Sequence, residues 1–393
     1  MCGIAGFCNF KEDFEENTDY WNFRLEKMRA VLAHRGNDAR GRYLKKHIGL
    51  SHSRLAIRDI LCGDQPMTRT HNGYEYTICY NGEIYNTDEL IPELSENGFV
   101  CSTTSDTEVI LYAYIHWGAD FVNRLNGIFA FAIWDAAKSR LLLYRDRVGV
   151  KPLFYAIRGD SLVFGSEPKA CFAHPAVKPE LDKQGLQELL AIGPAHTSGL
   201  SLFKDLFEVL PGHFMIYSRD GLHDETYWEL TSREHTESYR DTVAHTRFLV
   251  EDAIKRQMVS DVPVCTFLSG GIDSSIVTAI AANYMNTRGK TLNTFSFDFK
   301  DNDRYFKANT FQPERDLPYV NRMLDEYETA HSYLECDENS LFKALFAAVD
   351  AKDMPGMTDV DSSLLYFCSL VSRKNKVALT GECADEIFGG YPW

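Results

Sequence analysis

Basic residues are scarce in this sequence of 393 residues, which has 41 Lys and Arg against 56 Asp and Glu, a formal net charge of −15. A nucleic-acid groove needs clustered Lys and Arg to neutralise phosphates, so this balance argues against DNA or RNA as a partner. A small anionic ligand held by a local loop is still compatible with it. Long apolar runs are also missing, and we therefore expect no membrane-spanning helix.

Closely spaced cysteine pairs are missing as well, since none of the ten cysteines forms a C-x-x-C motif. Structural zinc sites and thioredoxin-like redox sites are therefore weak interpretations. Charged residues begin directly after the first ten residues, which leaves no room for the apolar segment of a signal peptide, and we therefore expect none. Most cysteines lie in apolar runs, so we expect free, buried thiols and a cytoplasmic location.

The first half of the chain has short apolar segments that are typical of strands. They lie at residues 4–10, 47–57, 76–80, 128–134, 141–145, 153–157 and 161–164. Helical periodicity appears at 20–33 and 107–117. Asn72 and Gly73 are typical of a hairpin turn. A polar, turn-rich stretch at 218–240 is interpreted as a linker or a sheet edge.

From residue 241 helices and strands alternate, which predicts a parallel sheet covered on both faces. The expected helices are 242–258, 274–285, 317–327, 341–349 and 363–373, and the expected strands are 264–268, 292–297, 331–335 and 376–380. A polar loop is expected at 300–315. The predicted domains are 2–215 and 241–393, joined by a linker at 216–240. Trp393 lies just beyond a glycine-rich motif, so we expect the second domain to be incomplete at its C-terminus.

Cys2 stands directly behind Met1, and removal of Met1 would place a thiol and a free α-amine in one residue. An α-amine with a pKa near ~8 can act as base towards its own thiol at neutral pH. A cysteine that merely happens to be second is the simpler explanation for this feature alone. The first six residues, MCGIAG, however begin a strand whose glycines let a ligand approach the backbone.

Further motifs follow in order: HRGND at 34–38, SRLAI at 53–57, NGEIYN at 81–86, TSD at 104–106 and RDRVGVKPL at 145–153. In this combination about the first 210 residues resemble the class II glutamine amidotransferases, glutaminases with an N-terminal nucleophile. The resemblance implies an α+β fold, the αββα sandwich of N-terminal-nucleophile hydrolases. Asn37 replaces a proline that is usual in the family, a change that affects a turn.

The resemblance also implies roles for individual residues. Cys2 attacks the side-chain carboxamide of glutamine, while the Asn81 side chain and the Gly82 N–H stabilise the oxyanion. The residues expected to bind glutamine are Arg54, Leu55, Ala56, Ile57, Arg58, Asn81, Gly82, Glu83 and Asp106. Arg54 would clamp the α-carboxylate. Glu83 and Asp106 would hold the α-ammonium, although Asp106 precedes a helical run and could instead be a helix cap. For Arg54 the alternative is a surface charge.

A second glycine-rich turn, FLSGGIDSS at 267–275, lies between a predicted strand and a predicted helix. Backbone N–H groups and a helix N-terminus at such a turn can hold phosphate oxygens. The lysine of a Walker A motif, G-x-x-x-x-G-K-S/T, is missing. An ordinary glycine turn would be the simpler explanation for two adjacent glycines. With the preceding strand, the S-G-G-x-D-S pattern resembles the loop of the ATP-pyrophosphatases, which implies a doubly wound α/β domain of the adenine nucleotide α hydrolase-like type.

This second resemblance implies ATP and Mg²⁺ as cofactors. The expected ATP-binding residues are Leu268, Ser269, Gly270, Gly271, Asp273, Ser274, Phe297, Thr380 and Gly381. Asp273 and Asp385 are the expected metal ligands, and Glu382 is the expected base of the amidation step. The second motif, TGECADEIFGGY at 380–391, departs from many members of the family at the small residues Thr380, Cys383 and Ala384.

The order of the two halves resembles the glutamine-hydrolysing asparagine synthetases. This implies glutamine hydrolysis, passage of ammonia to a second site, adenylation of aspartate, and release of asparagine, AMP, pyrophosphate and glutamate. Glutamine, aspartate and ATP are the implied small-molecule partners. A homodimer is compatible with the resemblance. Residues 354–361, MPGMTDVD, lack the arginine with which the family contacts aspartate, so another carboxylate is the alternative acceptor.

Three other interpretations are less well supported. β-Lactam synthetase-like proteins are disfavoured because Cys2 and the glutamine-binding set are intact. Phosphoribosyl or hexose-phosphate amidotransferases share only the first domain, and the loop at 269–275 excludes them. A non-catalytic assembly protein is disfavoured because both sets of site residues are present.

Overall fold

The computed structural model describes residues 1–309 and 314–390, and the chain divides into two compact units. The first unit contains residues 1–232 and 352–356, and the second contains residues 233–351 and the chain from residue 357. Each unit has its own sheets and its own apolar clusters.

The first unit is built from two six-stranded sheets, all of whose strands lie within the described residues. The strands are β1 (Gly3–Asn9), β2 (Ala39–Lys45), β3 (Ile48–Arg54), β4 (Met67–His71), β5 (Tyr74–Ile84), β6 (Gly127–Asp135), β7 (Arg140–Arg145), β8 (Phe154–Arg158), β9 (Ser161–Gly165), β10 (Phe207–Glu208), β11 (His213–Ser218) and β12 (Gly221–Thr226). The sheet orders are β10-β8-β9-β1-β3-β2 and β12-β11-β7-β6-β5-β4, and the pairings are antiparallel.

The helices of the first unit lie in the connections between these strands. They are α1 (Thr18–Ala30), α2 (Thr87–Glu96), α3 (Asp106–Trp117), α4 (Pro168–Phe172) and α5 (Lys183–Gln187). Short 3₁₀ segments occur at Phe14–Asn17, Ala33–Arg35 and Ala119–Arg124, and a π-helical turn occurs at Glu188–Ile192.

The two sheets pack face to face because alternate residues of their strands point to opposite sides. Ile4 and Cys8 of β1 belong to the apolar cluster between the sheets, which also contains Cys79 of β5. Ala5 and Phe7 belong instead to the cluster that includes α1 and α4. Helices α2 and α3 cover the other face of the second sheet. The predicted αββα sandwich is thus confirmed.

The second unit has a parallel sheet with the order β15-β14-β13-β16 in its described residues. Its strands and helices are α6 (Tyr239–Arg256), β13 (Val264–Phe267), α7 (Ile272–Asn286), β14 (Leu292–Phe299), α8 (Asn302–Tyr305), α9 (Leu317–Glu326), β15 (Thr329–Cys336), α10 (Glu338–Lys352), α11 (Thr358–Val371), β16 (Val377–Leu379) and α12 (Ala384–Phe388). Val264 packs with Ala281 of α7, whereas the next residue, Cys265, packs with Phe367 of α11. Helices therefore cover both faces, as predicted for a doubly wound α/β domain.

Some boundaries differ from the sequence-based expectations. The strand expected at 47–57 ends at Arg54, where the chain leaves the sheet to form a loop. The helix expected from 363 begins at Thr358. Strands β2 and β4 were not predicted, because their apolar residues do not alternate clearly. Helix α2 was not predicted either, and it contains Pro92, a residue that disfavours helix interiors. The hairpin turn at Asn72 and Gly73 is confirmed, since both residues have positive φ angles of 50° and 81°.

The polar stretch after residue 218 contributes an edge strand, because β12 pairs with β11 in the second sheet. The first unit therefore runs beyond the boundary expected at residue 215. Tyr391 of the second glycine-rich motif, and part of the loop expected at 300–315, lie outside the described residues.

The Phe131→Ala variant tests the core of the first unit. Phe131 is fully buried, and its ring centroid lies 4.7 Å from that of Tyr144 and 5.2 Å from that of Phe129. We expect the free energy of unfolding to fall by about 3–5 kcal/mol, measured by urea unfolding with tryptophan fluorescence. Phe23→Ala, at a residue that is 53% exposed, is the control and should change it by about 0.5 kcal/mol or less. Equal losses in the two variants would contradict this placement of Phe131.

Candidate active site

Cys2 lies at the start of β1, beside the end of β3. Gly3 pairs with Ser53 in these antiparallel strands, so Arg54 lies opposite Cys2 and Leu55 follows one residue further along. The Leu55 N–H donates to the Cys2 Sγ at 3.4 Å, and the Sγ lies 3.6 Å from the Leu55 carbonyl oxygen. The predicted nucleophile is therefore half-buried and fixed against the backbone of the SRLAI motif.

Arg35 fixes the backbone at the start of the chain. Its Nε donates to the Cys2 carbonyl oxygen at 2.9 Å, and its Nη1 lies 2.7 Å from Glu167 Oε1. His34 Nε2 lies 3.0 Å from the same carboxylate oxygen. Although burial raises the pKa of Glu167, the hydrogen bond from His34 and the charge of Arg35 lower it to about 2. Glu167 is thus an ionised anchor, and no role was predicted for it or for Arg35.

The groups at the chain start have shifted protonation equilibria. Burial lowers the pKa of the Met1 amino group to about 5, and the charges of Arg35 and Lys151 act in the same direction. Burial also raises the pKa of the Cys2 thiol, although its hydrogen bond with Leu55 opposes this. A neutral thiol is a weak nucleophile, so chemistry at Cys2 needs a nearby base.

Asn81 lies in β5, where it pairs with Ala130 of β6 and is 1% exposed. Its amide Nδ2 has no hydrogen-bond partner within the described part of the chain. A buried donor without a partner has a cost in stability, and such donors are found where a site keeps them for a ligand. The next residue must be glycine, because a Cβ at Gly82 would overlap the Ile128 carbonyl oxygen.

Arg54, the expected carboxylate clamp, is bound to its own loop in this structure. Nη1 donates to the Ile60 carbonyl at 3.2 Å and to Asp64 Oδ1 at 3.0 Å. Nη2 donates to the carbonyls of Arg58 and Asp59. The guanidinium is 6% exposed, which excludes the alternative of a free surface charge, whereas the Asp64 side chain is 74% exposed.

Glu83 and Asp106 lie close to each other and to Arg58. Asp106 Oδ2 accepts from the Tyr80 hydroxyl at 2.9 Å and from the Ile84 N–H at 3.1 Å, and it lies 4.0 Å from Arg58 Nη1. Burial raises the pKa of both carboxyls, and the charge of Asp106 raises the pKa of Glu83 further, while the charge of Arg58 lowers both pKa values.

The helix-cap alternative for Asp106 is wrong. The cap of α3 is Ser105, whose hydroxyl oxygen accepts from the Thr107 N–H at 3.3 Å. Asp106 is the first residue inside the helix, and its carboxylate bonds to Tyr80 and Ile84 instead.

Most residues expected to bind glutamine line one small pocket. Its lining consists of Cys2, Arg54, Leu55, Ile57, Arg58, Gly63, Gln65, Tyr80, Gly82, Glu83, Ser105, Asp106 and Thr107. Ala56 and Asn81 are not in this lining. The Ala56 N–H donates to Asp38 Oδ2 at 2.8 Å. Two arginines and two carboxyls thus converge beside the thiol, an arrangement that suits a ligand carrying both an ammonium and a carboxylate.

Asp146 organises the turn that follows β7. Its carboxylate accepts from the N–H groups of Val150 and Lys151, both at 2.9 Å, and from that of Phe129 at 3.2 Å. This turn carries Lys151, whose Nζ lies 3.1 Å from the Met1 Sδ and which is 7% exposed. Burial lowers the pKa of Lys151. The sequence identified the motif around it but gave this lysine no function.

In the second unit, the SGGIDSS turn connects β13 to α7, as predicted. Gly270 has a φ angle of +85°, and a Cβ there would lie 2.7 Å from the Tyr319 Cβ, so glycine is required for both conformation and space. The Ser274 hydroxyl lies 3.0 Å from the Ser269 hydroxyl and donates to the Gly271 carbonyl at 3.1 Å. The two serines expected to bind phosphate are therefore adjacent.

The second glycine-rich loop meets this turn. Thr380 and Gly381 follow β16, which pairs with β13, and a Cβ at Gly381 would lie 2.6 Å from the Ser274 N and 2.8 Å from the Asp273 Cβ. Asp385 lies in α12, one turn beyond this contact, and Glu382 is exposed. The two predicted ATP-binding motifs thus form one site at the carboxyl ends of parallel strands, the usual ligand position in such sheets.

The expected adenosine contacts differ in exposure. Leu268 is 1% exposed and its N–H donates to the Phe295 carbonyl at 2.8 Å. Phe297 is half-buried, with its ring centroid 5.1 Å from that of Phe367. The described residues contain no group of three or more His, Cys, Asp or Glu that could hold a metal ion. Asp273 and Asp385 are nevertheless suitable for Mg²⁺, which is commonly held by one or two carboxylates together with substrate phosphates.

Within the described ranges, no helix has the length and apolar character needed to cross a membrane. The ten cysteines are all free, and Cys8, Cys79, Cys171, Cys265 and Cys336 are buried.

Comparison with known families assigns both halves of the chain. Residues 1–228 match a glutamine amidotransferase domain, and residues 245–393 match an asparagine synthase domain. Over the whole chain, the glutamine-hydrolyzing asparagine synthetases 3 and 1 of Bacillus subtilis (strain 168) are 48% and 32% identical, and the chain covers 64% and 59% of them. Amidase chyE of Penicillium rubens is 32% identical, again over the whole chain and 59% of the relative.

The chain thus spans about three fifths of the length of these curated relatives. Its two domains occur in the same order as the two functional sites described above. The chain belongs to the family of glutamine-hydrolysing asparagine synthetases.

Proposed function

We propose that the first unit hydrolyses glutamine by nucleophilic attack of Cys2. The observation that supports this most directly is the pocket beside the thiol, where Arg54 and Arg58 lie opposite Glu83 and Asp106. An amino acid carries an ammonium and a carboxylate close together, and a pocket with both signs of charge can bind and orient it. The side chain of a glutamine bound in this way would extend towards Cys2.

The proposed reaction uses groups of the chain itself. After removal of Met1, the Cys2 amine takes the thiol proton, and the sulfur attacks the carboxamide carbon. The Asn81 Nδ2–H and the Gly82 N–H would stabilise the oxyanion, a role for which the amide without a partner is suited. Collapse of the intermediate breaks the carbon–nitrogen bond, and the amine returns its proton to the leaving ammonia. Water then cleaves the thioester and releases glutamate.

Substrate binding would require a rearrangement at Arg54. Its Nη1 is 3.0 Å from the exposed Asp64 carboxylate, a contact that a substrate carboxylate would have to replace. A glutamine α-carboxylate could replace Asp64 there without leaving a buried charge unpaired. The other acceptors of Arg54 are backbone carbonyls of its own loop, and they would continue to hold the guanidinium in place.

We propose further that the second unit, in the whole protein, adenylates aspartate with ATP and transfers ammonia to it, with Glu382 as base of the amidation step. The adjacent Ser269 and Ser274 and the glycines of the turn would bind the pyrophosphate part of ATP. Bound Mg²⁺ would neutralise phosphate charge, with Asp273 and Asp385 as its protein ligands. The products would be asparagine, AMP and pyrophosphate, in a cytoplasmic location that free thiols support.

A different carboxylate acceptor is the second candidate. Residues 354–361 contain no arginine, and the first turn of α11 carries Asp359 and Asp361. Two acidic side chains would repel a dicarboxylate such as aspartate. The similarity to a relative named an amidase also favours testing several acceptors.

The Cys2→Ala variant tests the glutaminase proposal. We expect glutamate release from glutamine to be abolished, because the nucleophile is lost, while synthesis from added ammonia persists in the whole protein. Glutamate is measured by a coupled assay. Cys62→Ala removes an exposed thiol and serves as the matched control with unchanged activity. Glutamine hydrolysis retained in Cys2→Ala would refute the assignment.

The products of ATP cleavage test the second proposal. The full-length protein is incubated with Mg·ATP, glutamine and aspartate, and the nucleotides are separated. We expect AMP in step with asparagine, and Asp273→Ala should stop AMP formation while glutamate release continues. ADP as the main product would refute adenylation. AMP formed only with another carboxylate would support the second candidate acceptor.

The Arg58→Met variant tests the charge balance of the glutamine pocket. Since Arg58 lowers the pKa of Glu83 and of Asp106, its loss should raise both and leave fewer ionised carboxylates to bind the substrate ammonium. We expect a glutamine KM about 10-fold higher near neutral pH, and an acidic limb of the kcat/KM profile displaced to higher pH. The effect should diminish as the pH rises.

The matched control for this variant is Arg124→Met. Arg124 also pairs with a carboxylate, Glu93, but both side chains are nearly half exposed and lie outside the pocket. Its pH profile should equal that of the wild type. An unchanged profile in Arg58→Met would show that Arg58 has no part in glutamine binding.

A further inference from the structure

Lys151 is placed by a turn in which its backbone polar groups are both bonded. Its N–H donates to Asp146 Oδ2 at 2.9 Å, and its carbonyl oxygen accepts from Arg145 Nε at 3.1 Å. Arg145 is itself paired with Glu208 at 2.9 Å and also donates to the Gly149 carbonyl. The position from which the Lys151 side chain projects is therefore fixed by buried charge pairs.

The Lys151 ammonium is buried without a carboxylate partner. The residue is 7% exposed, and among the described residues no carboxylate oxygen forms an ion pair with it. The ammonium lies 3.1 Å from the Met1 Sδ, a weak acceptor. Burying an unpaired cation is unfavourable, and such groups are commonly retained at functional sites.

The charged groups around the start of the chain come from several elements. With Met1 in place, Arg35 and Lys151 are the cations that act on the Met1 amine, and Glu83 and the Cys2 thiol are the groups that oppose them. The charge of Arg35 is shared with Glu167, to which it is bonded at 2.7 Å. Lys151 forms no such ion pair within the described residues, although the charges of Glu83 and Asp146 also act on its ammonium.

We infer that Lys151 is a positioning residue for the nucleophile, which keeps the α-amine of processed Cys2 in its free-base form and favours the thiolate. This inference rests on the proposed glutaminase function. A positive charge beside the amine disfavours a second proton there, and the same charge stabilises the sulfur anion formed by proton transfer. The proton moves from sulfur to nitrogen, and the sulfur–carbon bond then forms at the glutamine carboxamide. Lys151 itself neither gains nor loses a proton.

The test compares Lys151→Met, Lys151→Gln and Lys151→Arg in the full-length protein, with removal of Met1 verified by mass spectrometry. The pH dependence of kcat/KM for glutamine hydrolysis reports the groups of the free enzyme. We expect both neutral variants to displace the acidic limb to higher pH, with a loss of about 10-fold or more at pH 6 that diminishes at higher pH. Lys151→Arg should retain the wild-type profile.

Lys138→Met, at an exposed lysine in the turn between β6 and β7, is the matched control and should leave the profile unchanged. An unchanged acidic limb in Lys151→Met would overturn the inference. So would an equal loss at every pH that arginine does not rescue, because that pattern indicates a structural role. Lys151→Gln provides the same comparison if the methionine variant does not fold. Absence of glutaminase in the wild type would instead refute the proposed function itself.

Discussion

The hydrogen bond from Arg35 to the carbonyl oxygen of Cys2 is the contact on which the first site depends. A chain terminus has a neighbour on one side only, so its first residue frays unless other elements hold it. Strand pairing begins at Gly3, one residue too late to fix Cys2. Arg35 and its counterion Glu167 fix that residue, and the Leu55 backbone fixes its sulfur. The thiol is thereby held at the wall of the pocket.

The charges in this pocket are arranged so that none is simply exposed to water. Arg54 is neutralised by its own loop and by Asp64, while Arg58 faces Asp106. A ligand that carries a positive and a negative charge can take the place of these internal partners. Binding then replaces one set of ion pairs by another and leaves no buried charge unpaired. Asn81 is different, because its amide has no partner in the described structure and can donate to a ligand without giving up an internal contact. This difference agrees with the separate roles proposed for the charged residues, which would bind the substrate, and for Asn81, which would stabilise an oxyanion.

Much of this architecture follows from the sequence, because strand ends bring the motifs together. The residues of SRLAI, NGEIYN and TSD converge on Cys2, and the two motifs predicted to bind ATP meet through Gly381 and Ser274. The partners of long side chains could not be predicted in the same way. Whether Arg54 binds a ligand or its own loop depends on the conformation of that loop. The periodicity of apolar residues predicts helices and strands but not loop conformations. Lys151 and Glu167 belong to contacts more than a hundred residues apart in sequence.

The most direct test of the account is the reactivity of each of the ten cysteines towards a glutamine-shaped electrophile, such as a diazoketone analogue, read out by mass spectrometry. The account predicts rapid modification of Cys2 that glutamine slows, because the pocket orients the reagent on that sulfur. The exposed thiols Cys62 and Cys383 should remain largely unmodified over the same time. Modification of those exposed thiols in preference to Cys2, or modification of Cys2 that glutamine does not slow, would contradict it.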